Sequence, residues 1–120
     1  MGLILADTNI IIYIMNGLPA VKNFLEAEFA LSEISEIELL GIKGIDKKDL
    51  QVRQNMINEC FLVNMNDSIK QIAIQLKQKY ILKIPDAVIA ATPIHHRLSL
   101  LSADKGFARI KELDLTPLTI

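Results

Sequence analysis

Leu3-Ile4-Leu5-Ala6-Asp7-Thr8-Asn9-Ile10-Ile11-Ile12-Tyr13-Ile14-Met15-Asn16-Gly17 decides the fold class. The first four residues read as a buried strand. Asn9 to Met15 reads as a buried helix, stopped by Asn16-Gly17. Between them stands one carboxylate, Asp7. An acid directly after an apolar strand costs several kcal/mol to desolvate unless a cation or hydrogen bonds compensate.

The rest of the chain repeats this alternation of short apolar runs and longer amphipathic stretches. Pro19 to Glu28 has helical spacing, with Val21, Phe24, Leu25 and Phe29 as its apolar positions. Phe29-Ala30-Leu31 is a short strand. Ser32 or Ser35 caps a helix carrying Ile34, Ile37 and Leu40 that ends at Gly41. Asp46 to Cys60 is helical and Phe61-Leu62-Val63 a strand. Asp67 caps a helix with Ile69, Ile72, Ala73 and Leu76 on one face. Pro85 suits the first turn of a helix from Pro85 to Arg97. Leu100-Leu101 is a strand, Lys105 to Leu113 a short helix and Leu118-Thr119-Ile120 a last strand. Continuous apolar strands that alternate with helices imply an α/β fold with a mostly parallel sheet covered on both faces. In such folds ligands bind at the carboxyl ends of the strands. Asp7 and Asp104 both follow strands and are expected at that rim.

Composition narrows the function classes. A chain of 120 residues, 51% hydrophobic and 22% charged, fits one globular domain over residues 1–120. The longest clearly apolar run, Ile10 to Met15, is far short of the ~20 residues a membrane-spanning helix needs. Met1 to Ala6 lacks the basic start of a signal peptide, and Ala6 and Asp7 fit a myristoylation motif at Gly2 poorly. Cys60 is the only cysteine, so no intrachain disulfide forms, and its apolar neighbours point to a buried, inert thiol. A cytoplasmic location is expected. Net charge is −1, but it is unevenly spread: residues 1–42 hold one base and six acids, and residues 43–120 twelve bases and eight acids. A fold that joined these parts could set a basic rim around an acidic centre.

Four acids are candidates for chemistry: Asp7, Glu38, Asp86 and Asp104. Each has an ordinary explanation. Asp7 is a good helix N-cap, as Thr8 and Asn9 would also be. Asp86, in Ile84-Pro85-Asp86-Ala87-Val88-Ile89-Ala90-Ala91-Thr92, is favoured by the helix dipole. Glu38 alone would be an exposed helix residue, with Glu33 and Glu36 the better guesses for solvated positions. Asp104 is a turn residue or cap, which the Ser102 hydroxyl could orient. Together they offer the oxygen ligands that hard divalent cations such as Mg²⁺ prefer. Such a site activates water for in-line attack on a phosphodiester. No Cys or His pair has zinc spacing, and His95-His96 read as surface or interface residues pointing in different directions. A strand-end Asp could instead be a phosphorylated or nucleophilic aspartate of the receiver or phosphatase kind. The haloacid-dehalogenase pattern wants a second Asp two positions on, where this chain has Asn9.

Four segments resemble the PIN domain, in particular the toxin nucleases of the VapBC toxin–antitoxin class. They are Leu-Ala-Asp7-Thr-Asn, Ile-x-x-Ile-Glu38-Leu-Leu-Gly, Lys-Ile-Pro-Asp86-Ala-Val-Ile-Ala-Ala-Thr and Leu-Leu-Ser-Ala-Asp104-Lys-Gly-Phe. The resemblance covers essentially the whole chain. It implies a three-layer α/β/α domain, a Mg²⁺- or Mn²⁺-dependent endoribonuclease, an RNA substrate, a homodimer and a partner antitoxin. It carries the family's metal-binding acids onto Asp7, Glu38, Asp86 and Asp104, and its hydroxyl onto Ser102, with Thr8 and Asn9 in support. Lys83, Lys105 and Arg109 flank the acidic motifs and are the expected phosphate contacts. Two departures stand out. Many members have another acid just before the final Phe, where this chain has Gly106. Pro93 follows Thr92 inside a helix, where a kink or strain is expected. A catalytically silent module that binds RNA or a protein is the alternative.

Overall fold

The computed structural model describes residues 2–120; Met1, the start of the N-terminal stretch discussed above, lies outside the described residues. Five strands form one sheet: β1 (Leu3–Ala6), β2 (Glu28–Ser32), β3 (Phe61–Val63), β4 (Leu100–Ser102) and β5 (Leu115–Pro117). Their order is β3-β2-β1-β4-β5 and every pairing is parallel. Strand direction of progress reverses between β1 and β4, so the switch point lies at the centre of the sheet.

Side chains alternate across each strand and feed two cores. Leu5, Ala30 and Leu100 face one layer, with Ile69, Ala73 and Leu76 of α4 (Asp67–Lys79) and Ala87 to Ala91 of α5 (Ile84–His96). Ile4, Ala6, Leu31 and Leu101 face the other, with Ile10 and Ile11 of α1 (Thr8–Met15) and Ile57 of α3 (Lys47–Asn58). The result is the three-layer α/β/α arrangement. Helix α2 (Glu33–Leu40) packs against α1, α3 and α5 as well as β2. Its Leu39 belongs to one core and its Ile34 packs on the other.

Several boundaries differ from the expectation. Pro19–Phe24 is a short 3-10 helix, and Glu28 already belongs to β2, because Leu3 pairs with Glu28. Ser32, not Ser35, caps α2, accepting from the Ile34 N–H. Asn66 rather than Asp67 caps α4, accepting from the Ile69 N–H. The segment after Asp104 is a 3-10 turn over Lys105–Arg109, shorter than a helix to Leu113. The last strand is Leu115–Pro117, not residues 118–120. Leu100 pairs with Leu115 and Ser102 with Pro117, and an edge position tolerates a residue without an N–H. Helix α5 runs through Pro93 to His96, with Arg97 ending it in the left-handed region at φ 57°. Pro93 lies three residues from that end and is buried, and the helix continues through it. Among the described residues no helix is long and apolar enough to cross a membrane.

Candidate active site

Asp7 follows β1 at the switch point and is 8% exposed. It caps α1 with an extended backbone, φ −62° and ψ 152°. Both of its carboxylate oxygens are held. The Thr8 N–H donates to Oδ1 at 2.8 Å, and Ser102 Oγ donates to Oδ2 at 2.7 Å from the end of β4. Ser102 is itself buried, and its oxygen accepts the Asp104 N–H at 3.0 Å. Parallel pairing makes this possible, because β1 and β4 are neighbours and the Asp7 N–H donates to the Leu101 carbonyl.

The other three acids come from three different elements. Asp86 sits half-buried in the first turn of α5. Asp104 is exposed and caps the 3-10 turn, its Oδ1 accepting the Gly106 N–H at 2.8 Å. Glu38 is exposed on α2 and accepts from Thr8 Oγ1 at 2.7 Å. Thr8 thus serves two acids, Asp7 through its backbone and Glu38 through its hydroxyl.

The charges feel one another. Burial pushes the Asp7 carboxyl above its usual 3.8, the hydrogen bonds from Ser102 and Thr8 oppose this, and the charges of Asp86 and Asp104 raise it further. Asp86 is also raised, first by burial and then by Asp104 and Glu38, while Lys83 and Arg109 pull it down. Asp86 and Asp104 thus act on Asp7 through their charge, and Asp104 and Glu38 act on Asp86. The donors are all oxygen, which fits a hard divalent cation. Their side chains are not closed into a cage: among the described residues no three His, Cys, Asp or Glu groups are placed to hold an ion. The buried Asp7 charge nevertheless has no cationic partner in its hydrogen bonds, and a cation at the rim would relieve its desolvation.

Of the remaining expected residues, Lys83 and Arg109 lie near Asp86, and the Arg109 guanidinium also donates to the Ile81 carbonyl. Lys105 is exposed directly after Asp104. Asn9 is exposed on α1, and no side-chain hydrogen bond draws it into the network. Glu33 is not simply solvated, since its Oε1 accepts the Met65 N–H. His95 and His96 touch edge to face, with ring centres 4.7 Å apart. Cys60 is half-buried, and its thiol donates to the Met56 carbonyl. Burial pushes that thiol up, with the Glu59 charge adding to it, which leaves little reactive thiolate.

Ser35 joins this network although no sequence motif marks it. It is fully buried inside α2, and its Oγ lies 2.7 Å from Thr8 Oγ1. Its position three residues before Glu38, on the same helix face, was the available signal. A cleft of about 440 Å³ opens elsewhere, lined by Ile14, Leu25, Phe29, Met56 and Phe61. It lies at the amino ends of β2 and β3, where Glu28 and Glu59 also line it, and none of Asp7, Glu38, Asp86 and Asp104 does.

The chain matches the PIN domain family pattern over residues 4–113. No curated protein matches it significantly. Among solved structures, a chain of a toxin–antitoxin complex from Klebsiella pneumoniae is 34% identical, with a TM-score of 0.82 over 98% of this chain and 99% of that one. A chain of VapBC2 from Rickettsia felis, solved bound to a promoter DNA fragment, is 21% identical, with a TM-score of 0.73 over 99% and 100%. One of DNA-bound VapBC from Salmonella typhimurium is 18% identical, with a TM-score of 0.83 over 98% of each chain. These last two show the shared fold. A family pattern spanning most of the chain, and a relative this similar from end to end, leave one conclusion: the chain belongs to the PIN domain family.

Proposed function

We propose that this protein is a metal-dependent endoribonuclease that cleaves RNA phosphodiester bonds in the cytoplasm as the toxin of a type II toxin–antitoxin pair. One observation carries the reading. Asp7 is buried at the switch point of a parallel sheet and held at both oxygens, and it feels the charges of Asp86 and Asp104, while Glu38 is tied to the neighbouring Thr8.

In this reading the four acids hold Mg²⁺ or Mn²⁺. Such an ion, when bound, lowers the pKa of water and stabilises charge on phosphate oxygens. The protein's part is to hold its acids still. Ser102 and Thr8 fix both oxygens of Asp7, and Thr8 also fixes Glu38. Lys83, Lys105 and Arg109 contact the RNA backbone beside the acids. Substrate phosphate and cation are then drawn to adjacent, oppositely charged parts of one rim.

The Klebsiella pneumoniae relative belongs to a toxin–antitoxin complex, which supports an antitoxin partner here. A homodimer is part of the same reading. Ile74, Ile81 and Ile84 on and between α4 and α5 are exposed, Ile81 at 90%, and offer a face for a second copy.

The test is cleavage of a mixed pool of structured and unstructured RNA with Mg²⁺, Mn²⁺ or EDTA, comparing wild type with Asp86→Asn. Metal-dependent products that vanish in the variant support the reading. The second reading, a silent module, is favoured by the open arrangement of the acids. It expects RNA binding, with no products even at high protein concentration.

A further inference from the structure

Three side chains form a chain of two short hydrogen bonds beneath the acidic rim. Thr8 Oγ1 lies 2.7 Å from Glu38 Oε1 and 2.7 Å from Ser35 Oγ. A hydroxyl has a single hydrogen to give, and an ionised carboxylate can only accept. The Thr8 hydrogen therefore goes to Glu38. The contact with Ser35 must run the other way, with Ser35 donating to Thr8. Proton counting thus fixes the order as Ser35 to Thr8 to Glu38.

The surroundings make Ser35 the fixed end. Ser35 is fully buried, Thr8 is half-buried and Glu38 is exposed. Ser35 has only Thr8 as a side-chain partner among the described residues. An exposed glutamate on a short helix would otherwise sample several rotamers. Here a hydroxyl whose hydrogen is already directed holds one of its oxygens. Hydrogen bonds in such a chain polarise one another, so each strengthens the next.

We propose that Ser35 is a positioning residue for the candidate cation site. It directs the Thr8 hydrogen onto Glu38 and so fixes one oxygen of that carboxylate. The proposal rests on the reading of Glu38 as a cation ligand. Groups that orient ligands from behind commonly change metal affinity 10- to 100-fold when removed.

The experiment is calorimetric titration of the full chain with Mn²⁺, without RNA. Ser35→Ala and Thr8→Val should each weaken Mn²⁺ binding about tenfold, while Thr8→Ser keeps the link and stays near wild type. Ser35→Ala should have no further effect in a Glu38→Ala background, because the link then ends on nothing. A merely structural role for Ser35 predicts a fall in melting temperature in both backgrounds and no change in Mn²⁺ affinity, which would overturn the proposal. So would additivity of Ser35→Ala with Glu38→Ala. Should Ser35→Ala fail to fold, Ser35→Cys keeps a side chain of similar size with a far weaker donor; weakened Mn²⁺ binding then supports the proposal and unchanged affinity overturns it. Wild type that takes up no Mn²⁺ would overturn the cation-site reading itself, and this proposal with it.

Discussion

Asp7 and Glu38 offer the same chemical group in opposite circumstances. Asp7 is buried, held at both oxygens by elements of the sheet, and its charged form is disfavoured by its surroundings. Glu38 is exposed on a short helix and held at one oxygen by one hydroxyl. The difference separates two contributions to a cation site. The buried acid has its geometry set in advance, at a cost to folding stability. The exposed acid costs the fold little and depends on a relay for its place.

The largest effect should come from removing the buried charge. Asp7→Asn keeps the shape and the cap, since Asn is an equally good N-cap. It should abolish cleavage and yet raise the metal-free melting temperature by about 3–5 °C, read by calorimetry. The pH dependence carries the same sign. Asp7 and Asp86 are raised above their usual 3.8, so the folded state holds these protons more tightly than the unfolded chain does. Their contribution to stability is therefore lost as pH rises above 3.8 through the raised values. The stability gap between Asp7→Asn and wild type should widen over that interval and be constant above it. A variant less stable than wild type at neutral pH would mean that the two hydrogen bonds outweigh desolvation.

Glu38→Gln should have an intermediate effect. Its amide oxygen can still accept from Thr8, so position is kept while charge is lost. About a tenfold loss in cleavage at limiting Mg²⁺, with an unchanged melting temperature, is expected. Equal loss in Asp7→Asn and Glu38→Gln would erase the contrast between them.

The smallest effect should be at Asn9. It is exposed and outside the hydrogen-bond network, so Asn9→Ala should leave activity within about twofold of wild type. A large loss would place Asn9 at the substrate instead.

How much of this was legible depended on where each signal lives. The strands β1 and β4 are buried on both faces, so their sequences are plain apolar runs, and the acids that follow them were readable from position alone. The fold class came from the same runs. Strand β5 was misplaced because Leu115-Thr116-Pro117 contains a proline that only an edge position accommodates, while Leu118-Thr119-Ile120 looks more strand-like. The 3-10 segments were read as helices because their apolar spacing is the same over one turn. In the sequence Ser35 looks only like a helix cap. Its partner lies 27 residues away in sequence, and no local pattern records a contact between two hydroxyls.

Gly106 carries a consequence for how this site can change over generations. Its N–H donates to Asp104 Oδ1, and a β-carbon added there would stand 3.1 Å from that same oxygen. Any side chain at 106 must therefore nudge the Asp104 carboxylate from its present rest. Placing an acid at that position is not an independent step. Lineages that acquire one should show compensating change around Asp104, so the path to a fifth acid is contingent on the order of the substitutions.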